Sequence, residues 1–90
     1  MRTIAVIAIC LTLSSAAYGL AARENGHAWN RASAQEKEAL VKDALRRLSA
    51  TYPWQEMRDC VDAAFGRGAT NYLLSQDIAS IMTLCHVQLK

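Results

Sequence analysis

Cysteine and histidine are the residue types in this sequence best suited to chemistry. The chain contains three cysteines and two histidines, which are Cys10, Cys60, Cys85, His27 and His86. Structural zinc sites usually contain a C-x-x-C pair, and no two cysteines here have that spacing. We therefore expect neither a metal site nor a bound cofactor. The interpretations that remain for Cys60 and Cys85 are a disulfide and a pair of reduced, buried thiols.

Cys10 lies in an N-terminal segment that has the features of a secretory signal peptide. A single arginine precedes the uncharged run TIAVIAICLTL, and small residues follow that run. This order is typical of signal peptides, and the run is shorter than the ~20 apolar residues that a membrane-spanning helix needs. We predict a signal peptide over residues 1–19 that is cleaved after Gly19; cleavage after Ala21 or Ala22 is the alternative.

Export to the periplasm or the cell exterior sets the expected state of the other two cysteines. In an oxidising compartment an even number of cysteines favours a disulfide, so we predict a bridge between Cys60 and Cys85. In the chain-entropy model, closing a loop of this length stabilises a domain by about 3 kcal/mol. The bridge matters because cleavage leaves 71 residues, and a hydrophobic core of that size supplies little stability by itself.

Two segments of the remaining chain have both a helical pattern and clear end signals. The first begins at Ser33, which can form a capping box with Glu36, and its apolar stripe continues to Leu48. The second lies between Pro53, which favours a first helical turn, and Gly66, which favours a helix end. We predict a helix in each segment.

A third helix has a clear body and two candidate starts. Its apolar positions have helical spacing, and they are Ile78, Ile81, Met82, Cys85 and Leu89. The helix could begin at Asn71, or at Ser75 with the serine hydroxyl as its cap. A start at Ser75 brings Cys85 closer to the level of Cys60 in an antiparallel pair of helices. We therefore favour Ser75, with Gly66–Leu74 as a connecting loop that can hold a turn of its own.

These patterns predict a small all-α domain of three helices over residues 33–90, with one disulfide between the second and third helices. Residues 20–32 lack clean periodicity and contain the turn signal Asn25-Gly26. We predict that this segment is a flexible lead-in. Its one tryptophan, Trp29, is expected to dock onto the core.

The composition argues against several classes of function. The formal net charge is +2 and the isoelectric point is near 8.6, whereas a dedicated nucleic-acid-binding domain is usually more basic. No serine lies in a G-x-S-x-G motif, and no phosphate-binding loop is present. We therefore predict that the protein is not an enzyme, binds no nucleic acid and keeps no stable membrane span after cleavage.

The remaining indication of function is the number of large aromatic side chains in a small domain. Tryptophan and tyrosine are frequent at protein interfaces, so Trp29 and Tyr72, if exposed, are the best candidates for protein contacts. We predict an exported, non-enzymatic interaction protein (a binding module, inhibitor or adaptor) whose partner is another protein. The alternative is a periplasmic stress chaperone that unfolds conditionally, on loss of the bridge or at low pH.

Overall fold

The computed structural model describes residues 20–90, so the predicted signal peptide lies outside the described part of the chain. Five helices are present there: α1 (Gly26–Arg31), α2 (Ala34–Leu48), α3 (Trp54–Phe65), α4 (Asn71–Leu74) and α5 (Ile78–Leu89). Within the same residues there is no β-strand, and none of the five helices is long and apolar enough to span a membrane. The all-α prediction is confirmed, but the predicted number of three helices is wrong.

α2 forms where the sequence predicts a helix, and its ends follow from local signals. Ser33 Oγ accepts a hydrogen bond from the backbone N–H of Glu36 (3.1 Å), and the Glu36 carboxylate accepts one from the Ser33 N–H (2.8 Å). The predicted capping box is therefore complete. At the other end Ser49 adopts a left-handed conformation (φ 55°) and closes the helix.

α3 and α5 lie against each other and carry most of the core. Every buried side chain in the described residues is apolar or a cysteine. α3 contributes Met57, Val61 and Phe65, and α5 contributes Ile78, Ile81, Met82 and Cys85. The apolar stripe that the sequence predicts for α5 therefore faces the interior, except that Leu89 is only half-buried.

α5 begins at Ile78 and not at the predicted Ser75. The Ser75 hydroxyl donates a hydrogen bond to the carbonyl oxygen of Tyr72 (2.7 Å), because it belongs to the turn that ends α4. Asp77, the N-cap residue of α5, makes no capping hydrogen bond with its side chain. The predicted serine cap is therefore wrong, and the acceptors for the first amides come from elsewhere.

Those acceptors belong to the N-terminal stretch of the described chain. The backbone N–H groups of Ile78 and Ala79 donate to the carbonyl oxygens of Glu24 (2.7 Å) and Ala22 (2.8 Å). The first N–H groups of a helix have no partner within the helix, and here a segment more than fifty residues away in sequence supplies them. No local pattern around α5 indicates this arrangement.

α1 lies within the segment predicted to be a flexible lead-in. Gly26 is so close to the Phe65 ring that a methyl group on its Cα would lie 2.7 Å from Cε1. The Asn30 side-chain amide donates to the carbonyl oxygen of Phe65 (2.8 Å) and so satisfies a backbone acceptor at the end of α3. Asn25 forms an isolated antiparallel bridge with Asp77. These contacts join α1 to the rest of the domain.

Candidate functional site

The predicted disulfide between Cys60 and Cys85 is confirmed and links α3 to α5. The two Cα atoms are 6.0 Å apart, which lies within the range that a disulfide spans. Cys85 is buried in the core and Cys60 is half-buried. The bridge therefore fixes the position of α5 against α3 near the middle of both helices.

The side of α5 that faces away from the core is exposed and uncharged. Leu84 and Val87 are each 61% exposed, and Ser80 and Thr83 lie on the same side of the helix. The Thr83 hydroxyl donates to the carbonyl oxygen of Ala79 (2.9 Å), so its hydrogen-bonding need is met within the helix. We call Ser80, Thr83, Leu84 and Val87 the α5 face.

The outer surfaces of α2 and α3 differ from the α5 face because they carry charges. Ion pairs connect Lys42 with Glu38 (2.6 Å) and Arg47 with Asp43 (2.8 Å) on α2. On α3, Arg58 and Asp59 pair at 2.9 Å. α5 contains no Asp, Glu, Lys or Arg between its first and last residues. Of these three helices, α5 is therefore the one whose outer side carries no charge and exposes two large apolar side chains, Leu84 and Val87.

Sequence reasoning did not identify Leu84 and Val87 as candidate contact residues. The sequence nevertheless contains an indication of this surface. Leu84 and Val87 are apolar but lie outside the stripe that predicts the buried side of α5, and the helix contains no charged residue. Apolar residues on two sides of one helix indicate two buried surfaces, or one buried surface and one contact surface.

Trp29 is in the core, so it is not a surface contact residue. Its side chain is 0% exposed, which confirms that it docks onto the core. The indole Nε1–H donates to Asp62 Oδ1 (2.7 Å), and the Lys37 ammonium lies 5.2 Å from the ring centroid and 3.6 Å from Asp62 Oδ1. Its one polar group is thus satisfied inside the domain, and Trp29 does not meet the condition of exposure on which its prediction as a protein contact depends.

Tyr72, the other predicted contact residue, lies on the surface. Its side chain is 76% exposed on the four-residue helix α4. Its carbonyl oxygen accepts a hydrogen bond from the Ser75 hydroxyl, which fixes the backbone of the turn. Tyr72 therefore meets the condition of exposure on which its prediction as a protein contact depends.

One of the two histidines, His86, packs against a tyrosine. The hydroxyl of Tyr52, in the connection between α2 and α3, lies 2.6 Å from Nδ1 of His86 on α5. The ring centroids are 5.7 Å apart. Burial raises the pKa of the Tyr52 hydroxyl. His27 is exposed on α1, and residues 20–90 contain no cluster of three or more potential metal ligands.

An open groove of about 520 Å³ lies beside the start of α2. Two of its polar residues, Ser33 and Glu36, are bonded to each other in the capping box, and a third, Asp43, is paired with Arg47. Leu20 is one of its apolar lining residues. Because these polar groups already have hydrogen-bond or ion-pair partners, fewer of them are free to bind a ligand than the volume of the groove suggests.

Comparisons of this chain with protein-family models, with curated proteins and with solved structures found no match.

Proposed function

We propose that the protein is a small, exported, non-enzymatic interaction protein that binds another protein through the α5 face. The exposure of Leu84 and Val87 on a helix without charged residues is the observation that carries this proposal. Covering both side chains would gain on the order of 3 kcal/mol before the entropy cost of association.

The disulfide supports both the binding role and the export. Because Cys60 and Cys85 are joined, α5 presents its outer side chains from a fixed position, and a preorganised surface loses less entropy on binding. Disulfides persist in oxidising compartments such as the periplasm or the extracellular space. A bridge within the core therefore agrees with removal of residues 1–19 as a signal peptide.

The contacts of the N-terminal stretch support cleavage after Gly19. Leu20 packs against the core, and the Ala21 N–H donates to the Glu24 carboxylate (2.7 Å). Cleavage after Ala22 would remove a carbonyl oxygen that accepts from the start of α5. It would also bring a new terminal ammonium close to the N-terminus of α5, where positive charge is unfavourable. A domain that begins at Leu20 keeps all these contacts.

The test compares two double variants that add the same charge at exposed positions. Leu84→Glu/Val87→Glu places two carboxylates on the α5 face, whereas Ala39→Glu/Ala63→Glu places two on the exposed sides of α2 and α3. Each full-length chain is expressed with an affinity tag in its native host, cross-linked in intact cells and purified.

We expect the wild-type chain and the Ala39→Glu/Ala63→Glu variant to retain one protein at fixed stoichiometry, and the α5 variant to lose it. Equal retention by both variants would refute the role of the α5 face. Intact mass of the purified chain, with and without reductant, checks the cleavage site and the disulfide in the same preparation.

A second candidate function, the conditional chaperone, is favoured by the position of the disulfide. The bridge joins the two helices that carry most of the buried apolar side chains, so its reduction would allow α3 and α5 to separate. In that case the reduced protein, or Cys60→Ala/Cys85→Ala, would bind a hydrophobic dye and suppress the aggregation of an unfolded client. If neither occurs in the reduced protein, this candidate is rejected.

A further inference from the structure

We propose that the α5 face binds the α5 face of a second copy of this chain, with the two helices antiparallel about a twofold axis. This inference rests on the proposed function, because it assigns an occupant to the surface that the proposed function uses. The order of residues along α5 and the charges at its two ends favour this pairing.

An antiparallel pair of α5 helices has a self-complementary register. A twofold axis perpendicular to the helix makes each contact occur twice, residue i with j and j with i. If the axis passes between Thr83 and Leu84, these two residues face each other across it. One turn further out Val87 faces Ser80, so a larger side chain lies opposite a small one in each half of the interface.

The same register brings opposite charges together at both ends of the helix pair. Asp77 is the N-cap residue of α5 and Lys90 is its C-cap residue. Neither residue forms an ion pair with another residue between 20 and 90. In the antiparallel register Asp77 of one copy lies opposite Lys90 of the other. The macrodipoles of two antiparallel helices also attract each other.

The centre of this interface contains no charge that opposes the contact. The four residues of the α5 face are uncharged, and the Thr83 hydroxyl is bonded within its own helix. Residues 20–90 carry nine basic and eight acidic side chains, so the long-range repulsion between two copies is small. Binding of a different protein would not require opposite charges at the two ends of α5, such as those of Asp77 and Lys90.

The interface is small, so the association is weak. α5 has twelve residues, which span about 18 Å at 1.5 Å per residue. Interfaces below the standard size form transient complexes. We expect a dissociation constant on the order of 100 μM, because only a few side chains offset the entropy cost of association.

The experiment measures self-association by sedimentation equilibrium of the oxidised chain beginning at Leu20, from about 10 μM to 1 mM, a range that brackets the expected constant. Val87→Asp places a carboxylate at the centre of each half-interface and should weaken dimerisation at least tenfold. Ser80→Lys/Val87→Asp places the lysine of one copy opposite the aspartate of the other, and should restore dimerisation to within about threefold of wild type. This follows from opposite-charge pairing across the interface.

Ala39→Asp on α2 is the matched control for an added carboxylate, and it should leave the dissociation constant unchanged. Circular dichroism confirms that all variants keep their helices. A chain that stays monomeric at 1 mM overturns the proposal, and so does a dimer that Val87→Asp leaves intact or that the double variant fails to restore. If the wild type is monomeric but its cross-linked partner is still lost on substituting the α5 face, the proposed function stands and only the self-pairing is rejected.

Discussion

Residues 20–32 and α2 are adjacent in the chain, but different kinds of contact hold them in place. α2 has a complete capping box at Ser33 and Glu36 and ion pairs along its outer face. Residues 20–32 have neither a charged helical face nor a regular apolar stripe. Their position depends on contacts with α3 and α5, which lie more than thirty residues away in sequence.

This difference shows which kind of information each stretch carries. Capping boxes and i,i+4 ion pairs act within one helix, so their residue patterns can be recognised in the sequence. A buried tryptophan or a close approach of glycine to a ring acts only after the rest of the fold has formed. Substitutions in residues 20–32 should therefore affect the whole domain, whereas substitutions on the outer side of α2 should have small, local effects.

Trp29→Ala tests this comparison with the largest expected effect. Removing a buried tryptophan typically costs about 3–5 kcal/mol, and Trp29 is fully buried with its indole N–H bonded to Asp62. A domain of this size has a free energy of unfolding of about 5 kcal/mol, so the variant should keep only about 0–2 kcal/mol and begin to unfold at very low urea concentration. Urea denaturation followed by circular dichroism measures the change.

Trp54→Ala is the matched control for Trp29→Ala. Trp54 is only half-buried, and the side-chain cations of Lys42 and Arg58 lie 5.4 Å and 5.1 Å from its ring. Exposed cation–π contacts contribute about 0.5–1 kcal/mol each, so this variant should remain folded. Equal losses of stability in the two variants would contradict the claim that residues 20–32 are part of the core.

Gly26→Ala should have the next largest effect on stability. This variant distinguishes the contribution of core packing from that of helix propensity. In an isolated helix alanine is favoured over glycine by about 1 kcal/mol. At Gly26, however, the added methyl group would lie 2.7 Å from Phe65 Cε1, and overpacking a core costs about 1–3 kcal/mol. We expect a net loss of stability in thermal or urea unfolding. An increase would mean that α1 is governed by local propensity.

The sequence was informative where the determinants are local or covalent. The limits of α2 follow from Ser33 and from the stripe that ends near Leu48, and the disulfide follows from two cysteines in a domain that the sequence predicts to be exported. α1 and the true start of α5 could not be predicted, because their contacts are with residues distant in sequence. α1 contacts Phe65, and the start of α5 contacts Glu24 and Ala22. The α5 face was partly predictable, since the absence of charge from that helix is visible in the sequence.

Ser33→Ala tests the local side of the comparison. It removes the acceptor for the Glu36 N–H, and loss of an N-cap typically costs about 1 kcal/mol. We expect a cooperative unfolding transition shifted to lower urea concentration, and faster amide exchange confined to the first turn of α2. Ser33→Asp keeps an acceptor at the N-cap and should restore most of the stability. Protection lost throughout α1 and α3 as well would show that the cap acts beyond its own helix.

Asp43→Asn carries the smallest expected effect, because all the groups involved are exposed on α2. The hydrogen bond from Arg47 lowers the pKa of the Asp43 carboxyl below its usual 3.8, with a further contribution from the charge of Arg46. The folded state therefore holds the charged form more strongly than the unfolded state does. This contribution to stability is complete above the unfolded-state pKa and is lost as the pH falls through the folded-state pKa.

The two proteins should consequently differ in stability at pH 6, and the difference should shrink as the pH falls below the usual carboxyl pKa of 3.8, as measured by urea unfolding at decreasing pH. Added salt should shrink the difference at pH 6, because exposed ion pairs are screened. Arg47→Gln removes the main partner of Asp43, so in that background Asp43→Asn should change the pH dependence much less. If Asp43→Asn changes the pH dependence of stability as much in the Arg47→Gln background as in the wild type, the Asp43 carboxylate is stabilised by groups outside its own helix. α2 would then depend on distant contacts, as residues 20–32 do.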